Sequence, residues 1–345
     1  MEGFYRLAKM VVNKKFPNGD DELKAFFICA IYGLLCKFNN YPEIVCDLFL
    51  NTDIYMENDI ISNILKKHDI EIEFEDEDDE YSRTHAVSNQ GHLFVYDEEW
   101  DSINYAKANP SIICSLVDTT PVLLLNYFCH EMAHLVKGHI DGYNIFNNKN
   151  ITDYYMRTGL AHYIYQYDSK KDTLTENQVF SYFDEAINTI QTTEIMKYIL
   201  DIVNYTDDSS IHELINTFDK EDMLEDHGYE EIIDEVRMLW DIDEVKRIIE
   251  ENIVEGRIED SIYRINKMLD NQYGFGRICD IIDNIALNYG KKNKKHYLNY
   301  QRNKLKKFVK KIKNNQKEKK KNNYFINLTL IFRNNLLKYM ELRWY

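Results

Sequence analysis

The chain has 345 residues, 44% of them hydrophobic, and its 42 basic and 58 acidic side chains give a formal net charge of −16. This apolar content is sufficient for a buried core, whereas 12 glycines and 4 prolines are too few for a collagenous or loop-rich protein. The apolar runs are much shorter than the roughly 20 residues of a transmembrane helix, and the amino terminus lacks the pattern of a signal peptide. We therefore expect a mostly helical, soluble protein without a transmembrane segment.

Charge is distributed unevenly along the chain. Residues 1–290 contain 24 basic and 56 acidic side chains, whereas residues 291–345 contain 18 basic and 2 acidic ones. A change of sign of this kind indicates segments with different surfaces. Together with the motifs described below, it predicts an amino-terminal domain of residues 1–204, an acidic helical region of residues 205–290, and a Lys-rich tail of residues 291–345 that ends in an apolar segment.

The six cysteines indicate the compartment. They form no CxxC pair, and most of them lie within apolar stretches of the sequence. Buried thiols show this pattern, and cytosolic proteins keep such thiols reduced. We therefore expect a cytoplasmic protein without a disulfide framework.

Helical patterns dominate the predicted elements. Asp21–Lys37 is too continuously apolar for an ordinary strand and predicts a buried helix that starts at Asp20 or Asp21. The turn Asn89-Gln90-Gly91 precedes His92–Tyr96 and predicts a short β-segment, the single convincing strand pattern before residue 300. Thr120–Val136 reads as a helix, with Thr120 as its N-cap and Pro121 at its first position. Further helices are expected at Tyr41–Leu50, Glu176–Val203, Ser210–Phe218, Tyr229–Leu239, Ile242–Asn252, Ile258–Leu269 and Gly276–Leu287.

An HExxH motif, His130-Glu131-Met132-Ala133-His134, lies in the predicted helix Thr120–Val136. A chain of this composition would contain the motif by chance only about 0.02 times. Residues four apart on a helix project from one face, so His130 and His134 are placed to share a metal ion, while Glu131 can reach a water held there. The opposite face is apolar and is expected to be buried: Val122, Leu125, Cys129, Met132 and Val136.

This segment resembles the active-site helix of zinc metallopeptidases of the zincin group. The resemblance implies that His130 and His134 bind Zn²⁺ and that Glu131 is the general base in the hydrolysis of a peptide bond. It also implies an α+β, predominantly helical fold: a zincin-like core with a small antiparallel sheet or hairpin packed on the active-site helix, followed by a helical extension.

Catalytic zinc sites normally use three protein ligands, so a third ligand is expected. The sequence identifies this residue less clearly than the two histidines. The metzincin pattern would require a glycine at position 137 and a histidine at position 140, where the chain has Lys137 and Ile140. The segment Phe183–Thr189 resembles, in part, the ligand helix of small bacterial and phage gluzincin-type peptidases, which implies Glu185 as the third ligand. His139 and Glu194 remain alternatives.

Two further roles follow from the same resemblance. The β-segment Leu93–Tyr96 is similar in position to the edge strand along which zincins bind an extended substrate, although it could equally be a scaffold strand. Such sites also use a tyrosine or histidine to assist the oxyanion, and the candidates are Tyr155, His162 and Tyr163.

The leading hypothesis is therefore a cytoplasmic zinc-dependent peptidase that acts on a peptide or protein. The alternative is a catalytically silent zincin-like scaffold with a regulatory or binding function. In either case, the basic residues between 291 and 322 predict a salt-dependent contact with nucleic acid or an anionic surface, unless this segment is only a solvated extension.

Overall fold

The computed structural model of the chain describes residues 1–57, 86–89, 92–97, 102–107, 109–115, 119–137, 143–148, 151–168, 170, 173–218, 229, 232–255, 261–274, 277–288, 303, 307, 310 and 314. These residues belong to two compact units, Met1–Ser261 and Ile262–Tyr345. More of the described residues lie in helices than in strands, which confirms the predominantly helical prediction.

The described residues form ten α-helices, a short 3-10 helix at Asp201–Asn204 and nine β-strands. The α-helices are α1 (Glu2–Lys15), α2 (Asp21–Lys37), α3 (Pro42–Asn51), α4 (Pro121–Lys137), α5 (Ser181–Leu200), α6 (Ser209–Asn216), α7 (Ile233–Trp240), α8 (Asp243–Glu255), α9 (Ser261–Tyr273) and α10 (Ile278–Leu287). The strands are β1 (Asp53–Glu57), β2 (Ala86–Asn89), β3 (His92–Asp97), β4 (Ser102–Lys107), β5 (Ser111–Ser115), β6 (Tyr143–Asn148), β7 (Ile151–Thr158), β8 (Ala161–Asp168) and β9 (Thr173–Val179).

Helix α2 is the centre of the first unit and packs against α1, α3, α4, α5 and α6. The Asp20 carboxylate accepts a hydrogen bond from the backbone N–H of Leu23 at 2.8 Å, which confirms the predicted helix start. Every residue from Ala25 to Cys36 is buried, as expected for a helix whose sequence is apolar on all sides. Gly33 allows α5 to approach closely, since a Cβ there would lie 2.6 Å from Ile199 Cγ1.

A mixed sheet packs on α4. Strand β5 lies between β1, which is parallel to it, and β2, which is antiparallel to it. Both β2 and β5 contact α4, whereas β3 and β4 form a separate antiparallel hairpin. The prediction of a small antiparallel sheet is therefore wrong for the pair of β1 and β5. Strand β1 directly follows α3 in a short apolar stretch, whose pattern does not distinguish a strand from a helix end.

A four-stranded antiparallel sheet, in the order β6-β7-β8-β9, precedes α5. The prediction of a single strand pattern before residue 300 is thus wrong, and the predicted helix starting at Glu176 is wrong at its amino end, where β9 lies. The segments of β7 and β8 read ITDYYMRT and AHYIYQYD. Their β-branched and aromatic residues favour strands, but they lack the regular apolar and polar alternation that identifies one in a sequence.

Several smaller predictions can be compared with the structure. All six cysteines are free and buried. Among the described residues, no helix combines the length and apolar composition required to cross a bilayer. Helices α6, α7 and α8 belong to the same unit as residues 1–204, and the domain boundaries after residues 204 and 290 remain predictions.

In the second unit, the Asn266 side chain donates to Asp280 Oδ2 at 3.1 Å and accepts from the Cys279 N–H at 3.2 Å. These bonds tie α9 to α10. Four described residues of the basic tail are helical and exposed: Asn303, Lys307, Lys310 and Asn314. The rest of residues 291–345 lies outside the described part, and the predicted contact of residues 291–322 with an anionic partner remains a prediction.

Candidate metal centre

Helix α4 presents the HExxH motif. The Thr120 hydroxyl accepts a hydrogen bond from the Leu123 N–H at 3.3 Å, which confirms the predicted amino-terminal cap. The apolar face predicted for this helix is buried at Leu125, Cys129, Met132 and Val136 and partly buried at Val122. The helix as a whole packs against α2, α3, α5, β2 and β5. The two histidine side chains lie on another face and are 18% and 14% exposed.

Helix α5 brings Glu185 to this face. The chain passes from β9 into α5 at Phe180, which has a positive φ of 64°. Phe183, Ala186 and Ile187 bury the other side of the first turns. The Asn188 side-chain amide donates to the His130 carbonyl oxygen at 2.7 Å, which links α5 directly to the motif helix.

Three side-chain atoms from these helices converge. His130 Nε2 lies 3.1 Å from His134 Nε2 and 3.1 Å from Glu185 Oε2, and His134 Nε2 lies 3.2 Å from the same carboxylate oxygen. In a tetrahedral site with bonds of about 2.0–2.1 Å, ligand atoms lie about 3.3–3.4 Å apart. The three residues therefore form a group that could hold a metal ion.

Burial and the neighbouring charges shift the pKa values of two residues in this group in opposite directions. Burial acts to lower the pKa of His134, but the carboxylates of Glu185 and Asp184 outweigh it and raise that pKa to about 10. Burial acts to raise the pKa of Glu185, but His134 and His130 hold it well below its usual range. A proton on His134 thus balances the buried carboxylates, and a divalent cation would replace it.

Further polar side chains, which sequence reasoning missed, surround the histidines. His134 Nδ1 lies 3.5 Å from Asp184 Oδ2, on the side of the ring away from Glu185. Asp184 itself is 3% exposed and pairs with Lys137, which is 2% exposed. The sequence offered one weak signal for Lys137. On a helix Lys137 shares a face with Ala133 and His134, so it places a charged side chain on a face that is otherwise partly buried.

Tyr229 is a second unforeseen residue of the site. Its side chain lies beside Glu185, and burial together with the charges of Glu185 and Glu131 raises the pKa of its hydroxyl. Its φ of 59° is uncommon for a residue with a side chain and is typical of functional sites. The predicted helix Tyr229–Leu239 begins later, at Ile233, and no motif in the sequence marks Tyr229. Glu131 is 9% exposed and lies between the two histidines on α4.

The remaining candidates from the sequence lie elsewhere or outside the described residues. Glu194 accepts hydrogen bonds from Lys37 at 2.6 Å and from the Trp240 indole at 2.9 Å, so it is occupied at a different place on α5. His139 lies outside the described residues. Three residues lie in strands β7 and β8 with side chains outside the described part: Tyr155, His162 and Tyr163.

The strand beside the motif helix is also different from the one expected. Leu93–Tyr96 is part of β3, which among the described residues pairs with β4 in the separate hairpin. Strand β2 contacts α4 instead and forms one edge of the mixed sheet as far as the described strands extend. The substrate-binding role predicted for Leu93–Tyr96 remains a prediction.

Comparisons of this chain with protein-family models, with curated proteins and with solved structures find no match.

Proposed function

We propose that this chain is a zinc-dependent metallopeptidase whose metal ligands are His130, His134 and Glu185. One observation carries the proposal: the ligand atoms of two helices meet at 3.1–3.2 Å, with Glu131 between the two histidines. A motif that arose by chance would give no reason for a carboxylate 51 residues from His134 to complete the group as its third member.

Zinc is the metal that this donor set and its setting favour. Two histidines and one glutamate, with one position left for water, are a common catalytic zinc site. The same donors also bind Fe(II) in non-haem oxygenases. A glutamate directly beside the ligands supports hydrolysis, because a hydrolytic reaction needs a general base for the attacking water and an oxygenase does not.

In the proposed reaction, bound Zn²⁺ supplies Lewis-acid activation of the water and of the scissile carbonyl. Glu131 accepts a proton from the attacking water and later delivers it to the leaving amine. The Tyr229 hydroxyl, next to Glu185, is the candidate donor to the carbonyl oxygen as negative charge develops on it. This assigns to Tyr229 the oxyanion role expected of Tyr155, His162 or Tyr163.

The proposed substrate is a peptide or protein in an extended conformation. Strand β2 supports this, since it pairs with β5 on one side and lies against α4, while no described strand pairs with its other edge. An extended peptide can add to such an edge through main-chain hydrogen bonds. The free, buried cysteines support a reducing, cytoplasmic location.

The proposal is tested by metal content and peptide hydrolysis on the same preparations. Elemental analysis of the wild type is expected to give about one zinc per chain, lost in His134→Ala and retained in Glu131→Gln. Hydrolysis of a mixed peptide library, followed by mass spectrometry, is expected for the wild type and is expected to be lost in both of these variants. His212→Ala is the matched control, because that ring bonds the Thr206 carbonyl oxygen at 2.8 Å, and it should keep zinc and activity.

Two outcomes contradict the proposal in different ways. A wild-type protein without stoichiometric zinc at neutral pH would refute the metal site. A zinc-loaded protein that cleaves nothing in the library would favour the silent scaffold with a binding function.

A further inference from the structure

A buried ion pair lies directly behind the candidate metal centre. Lys137, the last residue of α4, places Nζ 3.3 Å from Asp184 Oδ1, and the two residues are 2% and 3% exposed. Neither residue is one of the three converging ligands. Asp184 precedes Glu185 on α5 and faces the outer nitrogen of His134.

Stability alone gives little reason for this pair. Removing two charges from water costs free energy, and buried ion pairs can often be replaced by apolar residues of similar volume without loss of stability. Burial of a lysine and an aspartate next to a metal centre therefore indicates a role in orienting the ligands.

The two carboxylate oxygens of Asp184 make different contacts. Oδ1 accepts from Lys137 Nζ at 3.3 Å and from the Leu160 backbone N–H at 3.0 Å. These donors come from different elements, the end of α4 and the turn between β7 and β8, so together they determine the rotation of the carboxylate. That rotation leaves Oδ2 at 3.5 Å from His134 Nδ1.

The turn is shaped for this close approach. Gly159 has a φ of +56°, and a Cβ at this position would lie 2.8 Å from Asp184 Oδ1 and 3.1 Å from Oδ2. A glycine is therefore favoured at position 159 for two reasons. It adopts the left-handed backbone conformation without strain, and its lack of a Cβ leaves room for the Asp184 carboxylate. Leu160 is itself 2% exposed, so its backbone N–H meets Asp184 in a buried part of the structure.

We propose that Lys137 is a positioning residue of the metal centre. Together with the turn at Gly159 and Leu160, it holds Asp184 so that Asp184 binds the proton on His134 Nδ1 and leaves Nε2 for the metal. Partners behind a ligating histidine orient its ring and select its tautomer, and their loss typically weakens metal binding about 10- to 100-fold. The inference rests on the proposed function, because it requires a metal at His130, His134 and Glu185.

The test measures zinc affinity of the full chain by competition with a chromophoric chelator at fixed pH. Lys137→Met is expected to weaken zinc binding about 10- to 100-fold, and Lys137→Arg, which keeps a charged donor, is expected to recover most of it. Lys37→Met is the matched control: Lys37 is also buried and pairs with Glu194 on the same helix at 2.6 Å, but away from the ligands. It should leave zinc affinity unchanged.

A second variant tests the inference even if Lys137→Met does not fold. Gly159→Ala keeps both charges but forces the Asp184 carboxylate to move, and is also expected to weaken zinc binding. In the zinc-loaded wild type, the ¹⁵N shifts of His134 should show a protonated Nδ1 and a metal-bound Nε2.

The outcomes separate the two proposals. A wild type that binds no zinc refutes the proposed function and this inference with it. A wild type that binds zinc, with equal affinity in Gly159→Ala and in every folded Lys137 variant, overturns the role of Lys137 and leaves the peptidase proposal intact. A loss of affinity as large in Lys37→Met would also overturn it, because the effect would then be general destabilisation.

Discussion

Zinc binding to this protein should release a proton near neutral pH. In the metal-free protein burial acts to lower the pKa of His134, but Glu185 and Asp184 outweigh it and raise that pKa to about 10, so its ring is protonated at pH 7. A metal ion needs the neutral ring and must displace this proton. The displacement costs about 1.4 kcal/mol per pH unit below the pKa, hence about 4 kcal/mol at pH 7, a roughly thousandfold reduction in apparent affinity.

The expected signature is a tenfold increase in apparent zinc affinity per pH unit between pH 7 and pH 9. Titration calorimetry at pH 7 in two buffers of different ionisation enthalpy should detect at least one proton released per zinc bound. His212→Ala is the control, since that ring bonds the Thr206 carbonyl oxygen and is not a proposed ligand, so its loss should leave the proton count unchanged. An affinity independent of pH over this range would show that His134 is neutral without metal, and would refute the reasoning.

The same shift affects folding stability with a definite sign. The folded-state pKa of His134 lies above its ordinary value of 6.5. The stabilisation that protonated His134 provides is therefore complete below about pH 6.5 and is lost as the pH rises toward 10. Chemical denaturation of metal-free protein should show a decreasing free energy of unfolding over this range, and the zinc-loaded protein should not show this decrease.

Three substitutions test other parts of the structure. Tyr229→Phe should retain zinc and lower kcat about 100-fold, if its hydroxyl stabilises the oxyanion; an unchanged kcat on a cleaved peptide would exclude that role. Asn188→Ala removes the 2.7 Å bond to the His130 carbonyl oxygen and should lower the free energy of unfolding by about 1 kcal/mol, measured by denaturant titration. Gly33→Ala places a Cβ 2.6 Å from Ile199 Cγ1 and should cost about 1–3 kcal/mol, whereas Gly3→Ala, with no atom within 4 Å, should not destabilise the protein.

Local patterns in the sequence identified the elements whose signals are contained within a few turns of chain. The Asp20 cap and the apolar run of α2 predicted that helix, and Thr120 with Pro121 predicted the start of α4. The four-residue spacing of His130 and His134 required both to share a face, because helix geometry alone determines that relation.

Strands were harder to recognise, because their stability comes from partners distant in the chain. Strand β1 pairs with β5, more than fifty residues later, and the sheet of β6 to β9 is held by pairing along its whole length. A strand sequence of mixed polar and tyrosine residues carries little information until its neighbours are known.

The residues of the candidate metal centre differ in the same way. Two proposed ligands and the proposed general base lie within five residues of one helix, so local geometry was sufficient to group them. The resemblance favoured Glu185 but left His139 and Glu194 as alternatives. Only the packing of α5 on α4 brought Glu185 to 3.1 Å from His130. Glu194 instead pairs with Lys37, so its carboxylate is occupied elsewhere. Lys137, Asp184 and Tyr229 were missed for the same reason: their contacts join segments far apart in sequence, and such contacts exist only once the chain is folded.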